Sequence, residues 1–243
     1  MSGSKSAPVC LEGSDEMIST LVAMLQRAKD ILETEGLKPL ITRGFDFVKV
    51  WFFEYGDYYL YEHTLEDGNE ADFLPNIQDY AFKIISSNEE ADNLAEAIGS
   101  DFRRRFVAAR SMLDKGAIAF CILVKGEIAH IGWVALSEEA QKAVDNLPHR
   151  VDFLDHEAYT GGTETISQYR GMGLMAYGYV KRFQFLKGQG IVVSRSAVAK
   201  SNIASQKAHA KFSPRVYAEA RHLRLLWWQF WKEKPLAQAG THD

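Results

Sequence analysis

The chain has 243 residues, 47% hydrophobic and 25% charged, enough to bury a sizeable core in one large domain or in a domain with an extension. Lysine and arginine number 28 against 32 acids, a formal net charge of −4, so no general affinity for nucleic acid is implied. Cys10 and Cys121 lie far apart in unlike contexts and offer neither a disulfide framework nor a zinc pattern, so no metal is expected.

In chain order, residues 1–14 are polar and acidic with no apolar signal core, and they read as disordered. No later run approaches a membrane span, so the expected address is the cytoplasm, without stable membrane insertion. Residues 15–35 place Met17, Ile18, Leu21, Val22, Leu25, Ala28, Ile31 and Leu32 at helical spacing, with Ser14 or Asp15 as cap and Gly36 as stop. Residues 37–53 are apolar and aromatic with an ambiguous period. Trp51, Phe52 and Phe53 leave three readings open: cover for the core, a homodimer contact, or a surface for a lipid-like acceptor. Strands are expected over 58–65 and 80–85, separated by a loop over 66–76 with a turn at Asp67-Gly68, and helices over 89–98 and 101–113. Arg103, Arg104 and Arg105 read as a solvated helix face.

From there the pattern becomes antiparallel. Strands over 117–124 and 127–136 flank a compact Lys125-Gly126 connection, and Cys121 reads as a buried thiol. Residues 149–165 hold an extended stretch, followed by a helix about 171–187, a strand 191–198, a helix 202–211 and a last strand 217–231. Trp227, Trp228 and Trp231 alternate poorly and read as core on both faces.

Between the extended stretch and the long helix lies Gln168-Tyr169-Arg170-Gly171-Met172-Gly173-Leu174. Two glycines spaced G-x-G let backbone approach a ligand without a Cβ in the way. The helix that follows begins with unpaired N–H groups and the positive end of its dipole, which suit a phosphate, and Arg170 adds a fixed positive charge. A tight turn whose glycines only permit close packing fits the same residues. The dinucleotide pattern G-x-G-x-x-G fails at Ala176, and no nucleotide phosphate loop is present.

Gln168, Gly171 and Gly173 fill the fixed positions of Gln/Arg-x-x-Gly-x-Gly/Ala, and the chain resembles the GNAT (GCN5-related N-acetyltransferase) superfamily over about residues 57–231. The resemblance implies an α/β (α+β) fold: a mixed, mainly antiparallel sheet flanked by helices, with 1–56 as an N-terminal helical extension and 57–243 as the acyltransferase domain. It implies acetyl-CoA (coenzyme A) as co-substrate. The pyrophosphate would rest on Gln168, Arg170, Gly171, Met172, Gly173 and Leu174. The pantetheine arm would lie against Gly161, Thr163, Glu164 and Thr165, between strands that splay apart; the Gly161-Gly162 pair also suits a bulge. Asn202 and Ser205 match the family's next helix, where Asn202 also suits a plain N-cap. His209 stands where the family has a tyrosine that protonates the CoA thiolate, and Ser213-Pro214 replaces the usual Gly-Phe.

The implied reaction is acyl transfer, most often of acetyl, to an amine on a small molecule or peptide, by direct attack on the thioester. The amine must lose a proton first. Glu157 is the expected base, with Tyr159 on its face of the strand and His156 and Glu164 as rivals; a solvent-exposed strand carboxylate fits Glu157 equally. His209 is the expected acid. A GNAT-like module that binds acyl-CoA for regulation without turnover is the alternative.

Overall fold

The computed structural model describes residues 53–65, 69–104, 106, 108–225 and 228–236. The helix expected over 15–35, the Asp67-Gly68 turn, Trp51, Phe52, Arg105 and Trp227 lie outside those residues. Among the described residues, those from Tyr55 to Leu223 and from Gln229 onward belong to one compact unit.

In chain order the elements are β1 Phe53–Thr64, β2 Tyr80–Ile85, α1 Asn88–Ile98, α2 Ala109–Asp114, β3 Ile118–Val124, β4 Glu127–Ala135, α3 Glu138–Val144, β5 Glu157–Thr165, α4 Leu174–Gly188, β6 Val193–Ala199, α5 Ile203–Ala210, β7 Arg215–Leu225 and β8 Trp228–Pro235. The strands form one sheet in the order β2-β3-β4-β5-β6-β1-β7-β8. Pairing is antiparallel for β2–β3, β3–β4, β4–β5 and β1–β6 and parallel for β5–β6. β1 runs across the 56/57 boundary expected from the sequence and lies inside the sheet, beside β6.

Local chemistry explains the element ends. Lys125 and Gly126 both take positive φ, 52° and 81°, as a two-residue hairpin turn requires. Ser87 caps α1 by accepting the Glu90 N–H, Glu90 reaches back to the Ser86 N–H, and left-handed Gly99 ends the helix. Alternate residues of β4 then face different layers. Ile131, Trp133 and Ala135 pack with Ala91 and Leu94 of α1, Leu113 of α2 and Ala140 of α3. Val134, on the other face, packs with Phe120 and with Leu186 of α4. Burial pushes the Cys121 thiol up to about 12, so it stays a thiol.

Three sequence readings need correction. The helix expected over 101–113 breaks into a 3-10 turn, Phe102–Arg104, and the short α2. Arg103 is buried, not solvated: Asp101 and Asp92 pair with its guanidinium and Asn88 accepts from it. A buried guanidinium saturated with acceptors is a structural tie. The extended stretch held within 149–165 is β5, and the short α3, capped by Ser137, precedes that range. The expected last strand is two strands, β7 and β8. Trp228 is 60% exposed, whereas Trp231 is half-buried beside Tyr58, against the cluster of Leu60, Ala218 and Ala220.

Candidate active site

β5 is where the sheet comes apart. Its parallel pairing with β6 consists of Glu157↔Val193, Ala158↔Ser194 and Tyr159↔Arg195, and there the ladder stops although both strands continue. A hydrogen bond of 2.9 Å between the Thr160 and Ser194 hydroxyls closes the paired end. Beyond it β6 continues on β1, with Ser196 opposite Tyr61 and Ala199 opposite Tyr58. β5 continues on β4 and leaves its other edge without a strand partner. Backbone N–H and C=O groups on such an edge suit an extended ligand that adds itself as a strand.

A bulge shapes that edge. The β4–β5 register passes from Trp133↔Gly161 to Ile131↔Glu164, so β5 carries one residue more than β4 opposite Gly132. Gly162 takes φ 54°, and a Cβ there would lie 2.8 Å from Trp133 Cδ1. A Cβ on Gly161 would overlap the Tyr159 hydroxyl. The bulge turns Thr163 and Thr165 to the α4 side: the Thr163 hydroxyl accepts from Arg182 at 3.2 Å, and Thr165 bonds His130 Nδ1 at 2.7 Å. Glu164 is exposed.

From β5 the chain turns through a 3-10 turn, Ser167–Tyr169, into the G-x-G segment. Gly171 and Gly173 both adopt the left-handed region, φ 79° and 81°, where glycine is the residue of choice. A Cβ on Gly171 would meet nothing within 4 Å, so the conformation, not crowding, demands glycine there. The Tyr177 N–H bonds the Gly173 carbonyl at 3.1 Å, which leaves the N–H groups of Leu174, Met175 and Ala176 without a carbonyl one turn back. The Met172 carbonyl accepts the Asn76 N–H at 3.0 Å, tying the turn to the segment before β2. Arg170 is exposed, its Nε donating to the Thr165 carbonyl at 3.2 Å, and Gln168 is exposed beside it.

Behind the gap lies a buried polar cluster. His209 of α5 bonds His63 of β1 through Nδ1 at 2.8 Å and the Tyr179 hydroxyl of α4 through Nε2 at 2.8 Å. Tyr179 in turn carries the Arg182 guanidinium on its ring face, 3.9 Å from the centroid. Arg182 is fully buried, donates to the Gly178 carbonyl, and sits where a Cβ on Gly132 would be 2.8 Å away. α4 approaches β4 closely because glycines alternate with these large groups: Gly132 faces Arg182, and Gly178 faces His130. Burial, with the Arg182 charge adding to it, lowers His63 to about 4 and His130 to about 3. Burial, then the His63 and Arg182 charges, lower His209 to about 3. All three imidazoles are neutral at neutral pH, so His209 would act there as a neutral imidazole. His63 Nδ1, His130 Nε2, Arg182 Nη2 and Ser196 Oγ find no partner within the described protein.

Glu157 stands apart from this cluster, in the paired part of β5. Arg195 and the Asp152 N–H both donate to its carboxylate. Burial pushes its carboxyl up, but the Arg195 hydrogen bond, the Asp152 N–H and the arginine charges outweigh that and leave it below the usual range. Arg195 is shared with Glu62 at 2.6 Å, and Glu62 with Arg215 at 2.8 Å. His156 is exposed with φ 55°. Asn202 caps α5, its side chain accepting the Ser205 N–H at 3.0 Å. The structure thus brings the G-x-G segment next to Thr165, draws Thr163 and His209 into one buried cluster through Arg182 and Tyr179, and places Glu157 and Asn202 in local ties. Tyr179, Arg182 and His63 were not legible in advance: His63 and His209 are 146 residues apart, and no spacing signals their contact.

Among the described residues no group of three or more His, Cys, Asp or Glu is placed to hold a metal ion, and no helix is long and apolar enough to cross a membrane. No family profile and no curated sequence matches the chain. Solved structures named as GNAT proteins resemble it. An acetyltransferase of the GNAT family from Colwellia psychrerythraea is 18% identical over 71% of this chain and 56% of its own, with TM-score 0.45. A GCN5-related N-acetyltransferase from Sphaerobacter thermophilus is 11% identical over 81% of this chain and 57% of its own, with TM-score 0.44. A GCN5-related glucosamine N-acetyltransferase region of a fungal multi-domain β-N-acetylglucosaminidase is 14% identical over 78% of this chain and 22% of that one, with TM-score 0.49. The chain therefore spans little more than half the length of the two bacterial proteins, and the likeness is distant.

Proposed function

We propose that the chain is an acyl-CoA-dependent N-acyltransferase of the GNAT type that transfers acetyl to an amine of a small molecule or peptide. The observation that carries the reading is the early end of the β5–β6 ladder, beside a bulged open edge that leads into a left-handed G-x-G turn and a helix N-terminus. That combination fits the two ends of one ligand: an amide-bearing arm that pairs with an exposed strand edge, and a pyrophosphate that takes backbone N–H groups.

In this reading Gly171, Met172, Gly173 and Leu174 supply N–H groups to the pyrophosphate, with Arg170 and Gln168 at its flank. Gly161, Thr163, Glu164 and Thr165 present the edge to the arm, and Asn202 and Ser205 stand at the opposite wall. Acyl-CoA supplies an activated thioester when bound. Unpaired N–H groups of β5 polarise its carbonyl in a dry setting, where such dipoles act strongly. A carboxylate held by a guanidinium and a backbone N–H is a weak base, so this reading moves proton handling from Glu157 to Tyr179 and His209. The N-terminal segment would shape the acceptor side or an oligomer contact.

The test is thermal stabilisation by acetyl-CoA. Binding at about 100 times Kd should add roughly 2.7 kcal/mol. Arg170→Glu and Gly171→Ala should each remove most of that increment while the free protein stays folded. Unchanged stabilisation in both variants contradicts the site. Binding without acylation of any amine in a broad panel leaves a regulatory module.

A further inference from the structure

The buried cluster behind the gap is an ordered chain of three groups from three elements: Tyr179 Oη to His209 Nε2 at 2.8 Å, and His209 Nδ1 to His63 Nε2 at 2.8 Å. Each imidazole is neutral and therefore carries one N–H and one lone pair, so the chain conducts protons in single file: whichever nitrogen gives one up receives another on its opposite side. The chain has two ends. At one, the Tyr179 hydroxyl lies beside Arg182, which holds Thr163 at the bulge of β5. At the other, His63 Nδ1 is buried and without a partner in the described protein. A buried histidine kept only for packing is expected to satisfy both nitrogens, because leaving one bare is unfavourable.

We propose that Tyr179, His209 and His63 form a proton relay serving acyl transfer, with His63 as its outer terminus. The proposal rests on the acyltransferase reading and adds to it the route of the proton. The Tyr179 O–H bond breaks as its proton passes to the departing thiolate sulfur. His209 Nε2–H then returns a proton to the Tyr179 oxygen, His63 Nε2–H returns one to His209 Nδ1, and His63 Nδ1 takes the replacement from water, to which the acceptor amine releases its own. One proton leaves the amine and one reaches sulfur; the three residues end neutral, with both imidazoles in their other tautomer. Burial raises the Tyr179 hydroxyl above its usual range and the Arg182 charge beside it opposes that rise, so Tyr179 keeps its proton until a thiolate draws it off. Tyr179 is the member that touches the reacting atoms; His209 and His63 act through it.

Two variants of the full chain separate a relay from a packing role. His63→Phe keeps an aromatic ring and removes both nitrogens, whereas His63→Gln keeps an N–H that can donate to His209 Nδ1 but cannot pass a proton on. The relay requires both to lose about a hundredfold or more in the rate of acetyl transfer, with acetyl-CoA affinity unchanged. Wild-type rates in His63→Gln overturn it. Nitrogen NMR of the protein without ligand gives an independent reading. Scalar coupling across the N–H···N bond between the two imidazoles, with both neutral at pH 7, is the expected result; an imidazolium at either, or no coupling, overturns the chain. Should the wild type acylate no amine, the acyltransferase reading fails, and the nitrogen spectrum still decides whether the three groups form the chain.

Discussion

β3 and β4 are buried along nearly their whole length by apolar side chains, whereas β6 alternates: Ser194, Ser196 and Val198 are buried and the residues between them only half so. The first pattern needs helices on both faces, and α1, α2 and α3 on one side with α4 on the other supply them. Among the described residues the second half of the sheet is thinner in apolar contact and carries polar groups inside: Ser194, Ser196, His63, His209 and His222 are all buried there. Three residue pairs join the halves. Among the described residues the apolar packing is thus concentrated in one half, and the gap lies where it meets the other.

Truncation should expose that difference most strongly. Trp133, 2% exposed amid the α1–α3 core, should cost about 3–5 kcal/mol as Trp133→Ala, measured by urea unfolding. The half-buried Trp231, as Trp231→Ala, should cost less than about 2 kcal/mol, since a side chain that keeps its solvent contact loses less on truncation. Equal losses would remove the contrast between the halves.

Acid should act next, chiefly through the region behind the gap. Burial holds His63 and His149 near 4 and His130 and His209 near 3, all below the unfolded value of about 6.5. The unfolded chain binds more protons between those limits. The stability these groups contribute is thus fully present above about pH 6.5 and is lost as pH falls through 4 and 3, at up to about 1.4 kcal/mol per pH unit for each histidine. Three of the four belong to the gap side. His63→Phe should flatten the slope by one proton, as urea midpoints across pH 4–7 would register; an unchanged slope would mean that His63 titrates normally.

A smaller effect separates two glycines of α4. Gly178→Ala would set a Cβ 2.7 Å from His130 Nε2 and should cost about 1–3 kcal/mol. Gly188→Ala, whose Cβ meets nothing within 4 Å, should be neutral or stabilising by up to about 1 kcal/mol. Reversal of that order would deny the close approach of α4 to β4.

What the sequence revealed follows the same divide. β2 and the β3–β4 hairpin were legible because their apolar runs end at turn residues, and the G-x-G turn was legible because left-handed backbone leaves glycine as its mark. α3 was missed because seven residues carry too little periodicity, although Ser137 with Glu138 and Glu139 is a cap signal. β7 and β8 merged into one strand because Leu225 and Trp228 bound no glycine, proline or asparagine that would announce a turn. Arg103 looked solvated because its partner Asp92 lies a helix away. The Tyr179–His209–His63 contact rests on strand β1 entering the sheet beside β6, which is a property of topology and leaves no local trace.

The central claim is that the open edge of β5 and the first turn of α4 together bind one acyl-CoA. Hydrogen–deuterium exchange of the full chain with and without acetyl-CoA tests it most directly, because the amides concerned are those the fold leaves unpaired. Ligand should slow exchange in peptides covering 160–165 and 171–176 and leave β3 and the core of β4 unchanged. Saturating acetyl-CoA with no protection in either segment, or with protection confined elsewhere, would contradict the account.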